Sequence, residues 1–357
     1  MMQVSRTDFN DTALATWWDD AYTSDTLIRN TFFQSRQWNR TWDEFFVDAD
    51  ARREPMLLRV EEGGRIIAAV PLYLQRRAVG PFTAWRYFLW IGDQLAQYPD
   101  MASTTHDTAA VWNAVIRFLA GEYPDAWLLL RAVLPDSTVA AHRSRARVSG
   151  GAPYLRLPLT GLDAQTYLAR CAPHLRRNVT RARKQLSTSA AIRWHAVRRP
   201  DATLITRLID LNAQRFGDAS WFADRRNREF FRALCARAGD ELLFTLVECD
   251  GEPVQVVASY LHGGVVHYVL SGMDIRYRNL RPGTMNLDAT ICWAMREGYT
   301  CFDFLRGDEA YKREFMPESR GSQDLEIPLS AGGLRSSLAR TAQRLRHRGD
   351  PAKEKRR

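Results

Sequence analysis

Residues 242–271 read LLFTLVECDGEPVQVVASYLHGGVVHYVLS, and this stretch decides the fold. It contains three runs rich in β-branched and aromatic residues, at 243–249, 254–261 and 265–271. Asp-Gly and Gly-Gly dipeptides, which favour tight hairpin turns, separate the runs. The pattern therefore predicts three consecutive antiparallel strands.

A helix and a fourth strand are predicted after this meander. Beyond Thr284, apolar residues recur at helical spacing, at Leu287, Ile291, Ala294 and Met295. Gly298 stands where a helix terminator is expected, and 301–305 is a short apolar run typical of a buried strand. The predicted order is three antiparallel strands, a polar loop, a helix and a strand.

The first half of the chain carries a weaker copy of the same order. A run at 57–60, a Gly-Gly turn and a run at 66–74 resemble the first hairpin. Residues 111–119 resemble the helix, and 127–131 (WLLLR) resembles 302–306 (FDFLR). We therefore predict an α/β (α+β) fold of two tandem units with mixed, largely antiparallel sheets. The predicted divisions are 1–160, 161–330 and a basic tail at 331–357.

Composition excludes several classes of protein. The 357 residues are 45% hydrophobic and 25% charged, which is typical of globular domains. No run approaches the roughly 18 apolar residues of a membrane helix, so we expect a cytoplasmic protein. The five cysteines show no metal-site spacing, and we expect reduced, mostly buried thiols and no bound metal.

Most of the net charge of +9 lies at the C-terminus. From Arg335 onward the chain has nine lysines and arginines against two acidic residues. Such a tail could bind an anionic membrane surface or RNA, or it could be an ordinary solvated end. All three interpretations stay open, and a membrane-peripheral location is included among them.

A second basic segment, at 173–187, is predicted to be helical. Leu175, Val179, Ala182 and Leu186 form an apolar stripe, whereas Arg177, Arg181 and Lys184 form a cationic one. The cationic stripe is either a solvated face or a surface that attracts a phosphorylated substrate. We include Arg177 and Arg181 among the candidate substrate-binding residues.

The loop before the Thr284 helix is the candidate phosphate-binding element. It contains Arg276, Arg278, Arg281 and Gly283. A helix start carries unpaired N–H groups and a partial positive charge, so nearby arginines and a glycine make a binding site for pyrophosphate. An ordinary loop with a Pro-Gly turn would have a similar sequence.

The strand that follows ends in ionisable residues, in 302–315 (FDFLRGDEAYKREF). Asp303 alternates with two phenylalanines, so it faces either a polar cleft or an ion pair with Arg306 or another arginine. Tyr311 and Lys312 follow one helical turn later, with amphipathic packing as the other interpretation of Tyr311. This density of proton-handling groups is typical of an active site.

Residues 276–315 resemble the CelD-like (BioF2-like) acyltransferases and are similar to the second GNAT unit of the Fem-type aminoacyltransferases. The matching pieces are Arg281-Pro282-Gly283, Gly298, 302–307 (FDFLRG), Tyr311-Lys312 and 175–186 (LRRNVTRARKQL). The resemblance is specific over about 161–315 and only architectural in the first 150 residues. The family is associated with cellulose and exopolysaccharide biosynthesis.

The resemblance implies a tandem GNAT fold in which acyl-CoA lies along the splayed strands of the second unit. The GNAT phosphate loop reads Gln/Arg-x-x-Gly-x-Gly/Ala. This chain matches it at Arg278 and Gly283 but has Arg281 in place of the first glycine. A bulkier donor would explain the difference, because Fem-type relatives accept aminoacyl-tRNA.

These observations define the predicted function and its residues. We predict transfer of an acyl group, acetyl in the first instance, from acyl-CoA to an amine, such as an amino sugar or nucleotide-sugar in exopolysaccharide or envelope biosynthesis. The alternatives are aminoacyl transfer from tRNA and a non-catalytic scaffold. Predicted donor-binding residues are Arg276, Arg278, Arg281, Gly283 and Thr284; predicted substrate-binding residues are Arg177, Arg181, Arg306 and Lys312.

Roles in catalysis follow from the chemistry of acyl transfer. By the resemblance, Tyr311 is the acid that protonates the leaving thiolate, and Asp303 or His267 is the base, directly or through water. Strand amides near Ser271 would polarise the thioester carbonyl. The first unit has Leu128 in place of Asp303, so we expect it to bind the acceptor or only to support the fold. Aromatic and cationic residues suited to a sugar acceptor are Trp85, Trp90, Trp221, Arg215 and Arg225.

Overall fold

A computed structural model describes residues 2–47, 49–78, 84–93 and 95–330. The basic tail and the contacts predicted for it lie outside these residues. The strands are β1 (Met2–Thr7), β2 (Arg53–Glu62), β3 (Arg65–Ala78), β4 (Ala84–Trp90), β5 (Ala102–Ser103), β6 (Trp127–Val133), β7 (Arg147–Gly150), β8 (Tyr154–Pro158), β9 (Ile192–Arg198), β10 (Leu242–Cys249), β11 (Glu252–His262), β12 (Val265–Met273), β13 (Cys301–Arg306), β14 (Glu318–Arg320) and β15 (Gln323–Pro328). The helices are α1 (Thr12–Thr23), α2 (Arg36–Phe46), α3 (Thr108–Glu122), α4 (Ala164–Arg170), α5 (Pro173–Thr188), α6 (Ala202–Phe216), α7 (Arg225–Ala238), α8 (Pro282–Arg296) and α9 (Ala310–Arg313).

Two sheets organise the described chain, and their strands follow the same order. The first runs β1-β2-β3-β4-β6-β15-β7, with the short β5 paired to β3. The second runs β9-β10-β11-β12-β13-β8-β14. In each sheet the central pair is parallel, β4 with β6 and β12 with β13, and the other pairs are antiparallel. The prediction of a tandem α/β fold with mixed sheets is therefore confirmed.

The two compact units are not continuous halves of the chain. The first comprises Met1–Arg29, Phe46–Gly151 and the described part of Gln323–Arg357. The second comprises Asn30–Phe45 and Ala152–Ser322. Consequently β15, which follows the whole second unit in sequence, pairs with β6 and β7 of the first sheet.

Each unit has its own apolar core. In the first, the buried face of β2, β3 and β6 packs on α3, through Leu58, Val70, Trp112, Val115 and Leu128. In the second, α8 and α5 pack on the sheet through Leu175, Val179, Leu287, Ile291 and Phe302. Of the apolar stripe predicted for α5, Leu175, Val179 and Ala182 are buried and Leu186 is partly buried.

The predicted meander and helix appear at nearly the predicted positions. The three strands β10 to β12 are joined by turns at Asp250-Gly251 and Gly263-Gly264, where all four residues have positive φ. Helix α8 begins at Pro282, and Gly298, at φ 81°, follows its end. No helix in the described ranges is long and apolar enough to cross a membrane.

Candidate functional site

Strands β12 and β13 of the second unit separate after a short parallel contact. Their pairing covers only Val265↔Cys301, Val266↔Phe302 and His267↔Asp303. Beyond that point β12 continues on β11 as far as Met273, whereas β13 continues on β8. A gap therefore opens between the two strands toward their carboxyl ends, and we call it the cleft.

The first turn of α8 lies at the same edge of the sheet. Parallel strands end at the same edge, and α8 follows β12 through the short 3-10 helix Ile275–Leu280. Among the described residues no side chain caps α8: its N-terminal cap residue is Arg281, and the amides of Thr284 and Met285 donate to the Arg281 carbonyl. This turn, which we call the helix mouth, keeps the partial positive charge that attracts anions.

Arg281 has the backbone conformation that the missing glycine would adopt. Its φ of 54° and ψ of 49° are left-handed, which costs a non-glycine residue about 1–2 kcal/mol. The departure from the GNAT phosphate-loop pattern therefore changes the side chain but leaves a glycine-like turn in place. Gly283 is two residues further on, in the first turn of α8.

The three arginines of this loop differ in their contacts. Arg276 forms an ion pair with the buried Asp274, at 2.6 Å. The Asp274 side chain caps the 3-10 helix, and the hydrogen bond from Arg276 is the main cause of its lowered pKa. Arg278 and Arg281 are exposed and have no ion-pair partner in the described chain. These two are therefore the cations available to a phosphorylated donor, and Arg276 is largely committed to Asp274.

Two buried polar atoms on β11 lack partners within the described residues. The side-chain oxygen of Gln255 is one, and a Cβ added to Gly283 would lie 4.0 Å from it. The other is the hydroxyl of Ser259, which lies directly opposite Tyr268 on β12. Because buried polar groups are nearly always hydrogen bonded, unpartnered atoms near a helix mouth indicate a place for ligand or water.

Asp303 and His267 come together, but both are buried, at 0% and 2% exposure. Their nearest atoms are 3.6 Å apart, and Arg156 lies 3.6 Å from the same carboxylate oxygen. The other oxygen accepts the N–H of Leu305 at 2.8 Å. Asp303 therefore forms an ion pair with Arg156, which is one of the two possibilities that the sequence left open. Its contacts connect β12, β13 and β8.

The imidazole and carboxylate face away from α8. His267 is opposite Tyr260 on β11, and Phe33 packs edge-on to the His267 ring at 6.0 Å. Phe32 stacks on Tyr260 at 3.9 Å, so the segment Asn30–Phe45 covers this face of the sheet. This arrangement does not favour direct contact of Asp303 or His267 with a substrate. That either residue acts as the base through a water molecule stays a prediction.

Tyr311 lies at the cleft with a second phenol, that of Tyr268. Ser271 is a further polar neighbour of Tyr268. Desolvation raises the pKa of Tyr311 strongly, although 40% of the residue's surface is exposed, and the neighbouring Tyr268 raises it further. Desolvation also raises the pKa of Tyr268, while the polar side chains of Ser271 and Tyr311 oppose that rise.

A β-bulge explains why Tyr268 and Ser271 can meet. The register jumps from Ala258↔Leu270 to Ser259↔Tyr268, which leaves Val269 without a partner across the sheet. Residues three apart on a regular strand face opposite sides, but an inserted residue restores them to one side. Tyr268 and Ser271 therefore share the face of α8, whereas His267 lies on the other face.

Arg306 is the last residue of β13, and Lys312 lies on α9, where its contacts are within the protein. Its ammonium group is buried, donates to the carbonyl of Arg306 at 3.2 Å and pairs with Glu309 at 2.8 Å. Gly307 has φ 128°, and the carboxylate of Glu309 occupies the space that a Cβ would need. Substrate binding by Arg306 and Lys312 stays a prediction.

The cationic stripe of α5 is solvent exposed. Arg177, Arg181 and Lys184 have no ion pair in the part of the chain that the structure describes. Arg183, one position from this stripe, instead forms a bidentate pair with Asp288 of α8 at 2.8 and 2.9 Å. The pair joins α5 to α8, while a role of Arg177 and Arg181 in substrate binding stays a prediction.

A cavity of about 580 Å³ lies elsewhere, between α4, α5, β9 and the outer side of α8. Its lining includes Leu186, Trp194, Asp288 and Met295, and excludes the helix mouth and both phenols. The described residues contain no group of three or more side chains suited to hold a metal ion.

Comparisons with known proteins identify the class of the second unit. Residues 173–313 match the family model described as an acetyltransferase (GNAT) domain. The likeness to a GNAT acetyltransferase domain therefore spans α5 to α9. The match begins at the basic helix and ends just beyond Tyr311, so it contains the helix mouth and the cleft. No curated protein matches the chain.

Solved structures extend the likeness to both units. FemX has a TM-score of 0.59 at 10% identity, covering 90% of this chain and 96% of its own. A conserved protein of unknown function from Bacteroides thetaiotaomicron has a TM-score of 0.54 at 12% identity, covering 91% and 99%. A tandem GNAT protein from the clavulanic acid biosynthesis pathway has a TM-score of 0.50 at 14% identity, covering 91% and 98%. At these identities the likeness shows a shared fold.

The sequence pointed to the helix mouth and Tyr311 as candidate site residues, and it did not point to Tyr268, Gln255 and Ser259. Tyr268 lies within an apolar strand, where a tyrosine is ordinary core material. Its position directly after the last paired residues of β12 and β13 depends on the register between strands. Arg215, predicted as an acceptor residue, lies near both phenols, and its positive charge opposes the rise of their pKa values.

Proposed function

We propose that the second unit transfers an acyl group, acetyl in the first instance, from acyl-CoA to an amine. The observation that carries this proposal is the parallel pair β12 and β13, which separates after three residue pairs beside an uncapped helix mouth. A gap between strands accepts an extended chain that satisfies strand N–H and C=O groups. An uncapped helix start accepts the pyrophosphate at the end of that chain.

The residues proposed to bind the donor divide into two groups. The N–H groups of the first turn, at Gly283 and Thr284, would face the pyrophosphate, while Arg278 and Arg281 supply positive charge. Arg276 would act through Asp274, by holding the loop in shape. The pantetheine arm would then run into the cleft and bring its thioester toward Tyr268 and Tyr311.

The chemistry that this arrangement supports is direct transfer. The amine nitrogen attacks the thioester carbon, the C–S bond breaks, and sulfur leaves with the electron pair. Tyr311, beside the phenol of Tyr268, is proposed to return a proton to that sulfur, while the proton lost by nitrogen passes through water to restore the phenol. Asp303 and His267 would reach that water only indirectly, because both are buried.

For the acceptor we propose an amino sugar or nucleotide-sugar of envelope or exopolysaccharide biosynthesis, as the resemblance to CelD-like acyltransferases implies. Arg215 is exposed near both phenols and has no ion pair in the described chain. An acceptor that carries a phosphate or carboxylate would complement this charge. Trp221 packs against Phe222 and Phe230, so its main contacts are with the protein core and not with an acceptor site.

Calorimetric titration with acetyl-CoA and free CoA tests the donor site. We expect micromolar binding, weakened about 10- to 100-fold in Arg281→Glu, because two units of charge change beside the pyrophosphate. Arg226→Glu is the matched control, since Arg226 is also exposed but lies on α7, and its affinity should equal that of the wild type. Equal affinities in all three proteins would contradict the proposed phosphate site.

A second candidate function is aminoacyl transfer from tRNA. The likeness to FemX and the exposed, unpaired cations of α5 favour it. It predicts tRNA binding that weakens steeply with salt and weakens further in Arg177→Glu/Arg181→Glu. Binding of neither CoA nor tRNA would favour the third possibility, a scaffold without catalysis.

A further inference from the structure

A buried hydrogen-bond network lies on the side of α8 that faces the sheet. Asn286, at 0% exposure, begins the second turn of the helix, two residues after Thr284. Its Nδ2 donates to the carbonyl of Thr245 on β10 at 3.0 Å, and its Oδ1 accepts the indole N–H of Trp194 on β9 at 3.1 Å. One side-chain amide therefore connects α8 to two neighbouring strands.

Thr290, one turn further along α8, completes the network. Its hydroxyl lies 3.0 Å from Oδ1 of Asn286 and 3.1 Å from the hydroxyl of Thr245. It also lies 2.6 Å from the backbone carbonyl of Asn286. Thr245 is 0% exposed and Thr290 is 2% exposed. The polar atoms of these buried side chains are thus satisfied within the protein, away from water.

The network contributes direction more than stability. Burial of an amide or a hydroxyl costs desolvation free energy, and the hydrogen bonds return little more than that cost. Elsewhere this helix contributes Met285, Leu287 and Ile291 to apolar clusters. Apolar contacts have no preferred direction, whereas a hydrogen bond fixes the distance and angle between its groups. The network therefore selects one rotation and one height of α8 on the sheet.

The rotation of α8 decides where the helix mouth points. The amides of Gly283 and Thr284 belong to the same helix as Asn286, in the turn before it. Asp288, two residues after Asn286 and hence on the opposite side of the helix, is held by the bidentate pair with Arg183 of α5. Directed bonds thus hold α8 from the sheet and from α5, just behind its uncapped first turn.

We propose that Asn286 is a positioning residue for the acyl donor: its bonds to β9 and β10 set the rotation of α8 at which the N–H groups of the helix mouth meet the donor's pyrophosphate. The inference rests on the proposed acyl transfer, because it assigns a role within the donor site. Asn286 itself does not touch the donor. A misplacement of about 1 Å at a binding site can cost about 100-fold, so a helix that turns on an apolar surface loses donor affinity.

The test compares donor affinity with stability in the full-length chain. Acetyl-CoA and inorganic pyrophosphate are titrated by calorimetry into the wild type and into Asn286→Leu, which removes the amide and keeps a side chain of similar size. We expect both ligands to bind about 10- to 100-fold more weakly in the variant. Its melting temperature should also fall by a few degrees, because Trp194 loses a hydrogen-bond partner.

Two further variants separate positioning from stability. Ile291→Val, on the same helix, is the matched control: it should also melt at a lower temperature but bind both ligands within about 3-fold of wild type. The triple variant Asn286→Leu/Thr245→Val/Thr290→Val makes this part of the network apolar. It should recover much of the lost stability while still binding weakly. A merely structural role of Asn286 would not separate affinity from stability in this way.

The possible results distinguish this inference from the proposed function. Wild-type affinity in Asn286→Leu, or an equal loss of affinity in Ile291→Val, would overturn the role of Asn286 and leave the donor site standing. Recovery of both stability and affinity in the triple variant would overturn it as well. If the wild type binds neither acetyl-CoA nor pyrophosphate, the proposed function fails and this inference fails with it.

Discussion

The two units have the same strand order, but their central helices begin in different ways. In the first unit α3 is capped by Asp107, whose carboxylate accepts the N–H of Ala110 at 3.1 Å. In the second, α8 begins at a left-handed Arg281 with no side-chain cap. A carboxylate already satisfies the first helix start and repels anions, whereas the second remains positive. The same fold thus contains one helix whose N-terminus is capped by a side chain and one whose N-terminal cap residue makes no such bond.

The gaps between the parallel strands differ as well. Strands β4 and β6 pair only through Tyr87↔Trp127 and Phe88↔Leu128. Beyond them, Arg131 of β6 donates to Asp93 at 2.7 Å, and Asp93 is 3% exposed. In the second unit the corresponding place has the phenols of Tyr268 and Tyr311. In the first unit a helix cap and an ion pair of the protein thus occupy the places that the second unit leaves to the proposed donor.

The largest expected effect is on the first sheet, which depends on a strand from the far end of the chain. Removing residues 323–357 deletes β15 and leaves β6 and β7 without their shared partner. We expect loss of cooperative unfolding of the first unit and aggregation through the exposed edge, measured by circular dichroism and size-exclusion chromatography. Removing only 331–357 is the control and should leave the melting curve unchanged. Equal melting of both truncations would show that β15 is dispensable.

Replacing Asp303 by leucine gives the second unit the residue that the first has at Leu128. We expect unfolding free energy to fall by about 3 kcal/mol, because Arg156, His267 and the Leu305 amide lose a buried partner. Urea denaturation measures the change. Asp303→Asn keeps an acceptor for that amide and should lose less. A neutral Asp303→Leu would mean that the buried charge contributes nothing to the junction of β12, β13 and β8.

The smallest effect concerns the closed helix start. Asp107→Ala should cost about 1 kcal/mol of the first unit's stability, since α3 loses its side-chain cap. Affinity for acetyl-CoA should not change, because the proposed donor site lies in the second unit. Thermal melting and titration check the two statements separately. A changed affinity would indicate that the first unit also binds the donor.

Much of the fold could be predicted because its signals are local. The turn dipeptides fixed the meander, the spacing of Leu287 and Ile291 fixed α8, and the stripe from Leu175 fixed α5. Strands β8 and β15 had no comparable signal, since each is short and finds its partners far away in sequence. The same limit explains why Asn30–Phe45 could not be assigned to the second unit.

The candidate site could be read from the sequence in part, and for a similar reason. The helix mouth and Tyr311 lie in a continuous motif, so reading along the chain points to them. Tyr268 could not be picked out in this way, because the bulge at Val269 is a property of pairing with β11. For Asp303 the sequence left open a polar cleft or an ion pair with an arginine, and the structure has an ion pair with Arg156 of β8. Which arginine forms the pair could not be read from the sequence, because β8 pairs with β13 far away along the chain.

The position of β15 sets the order in which this protein can be completed during translation. A ribosome makes β1 to β7 first, yet the first sheet lacks the strand between β6 and β7 until residue 328 has been synthesised. By then every residue of the second unit has been synthesised. The N-terminal unit therefore cannot complete its sheet before the second unit has been made, and the edges of β6 and β7 that β15 covers stay open until then.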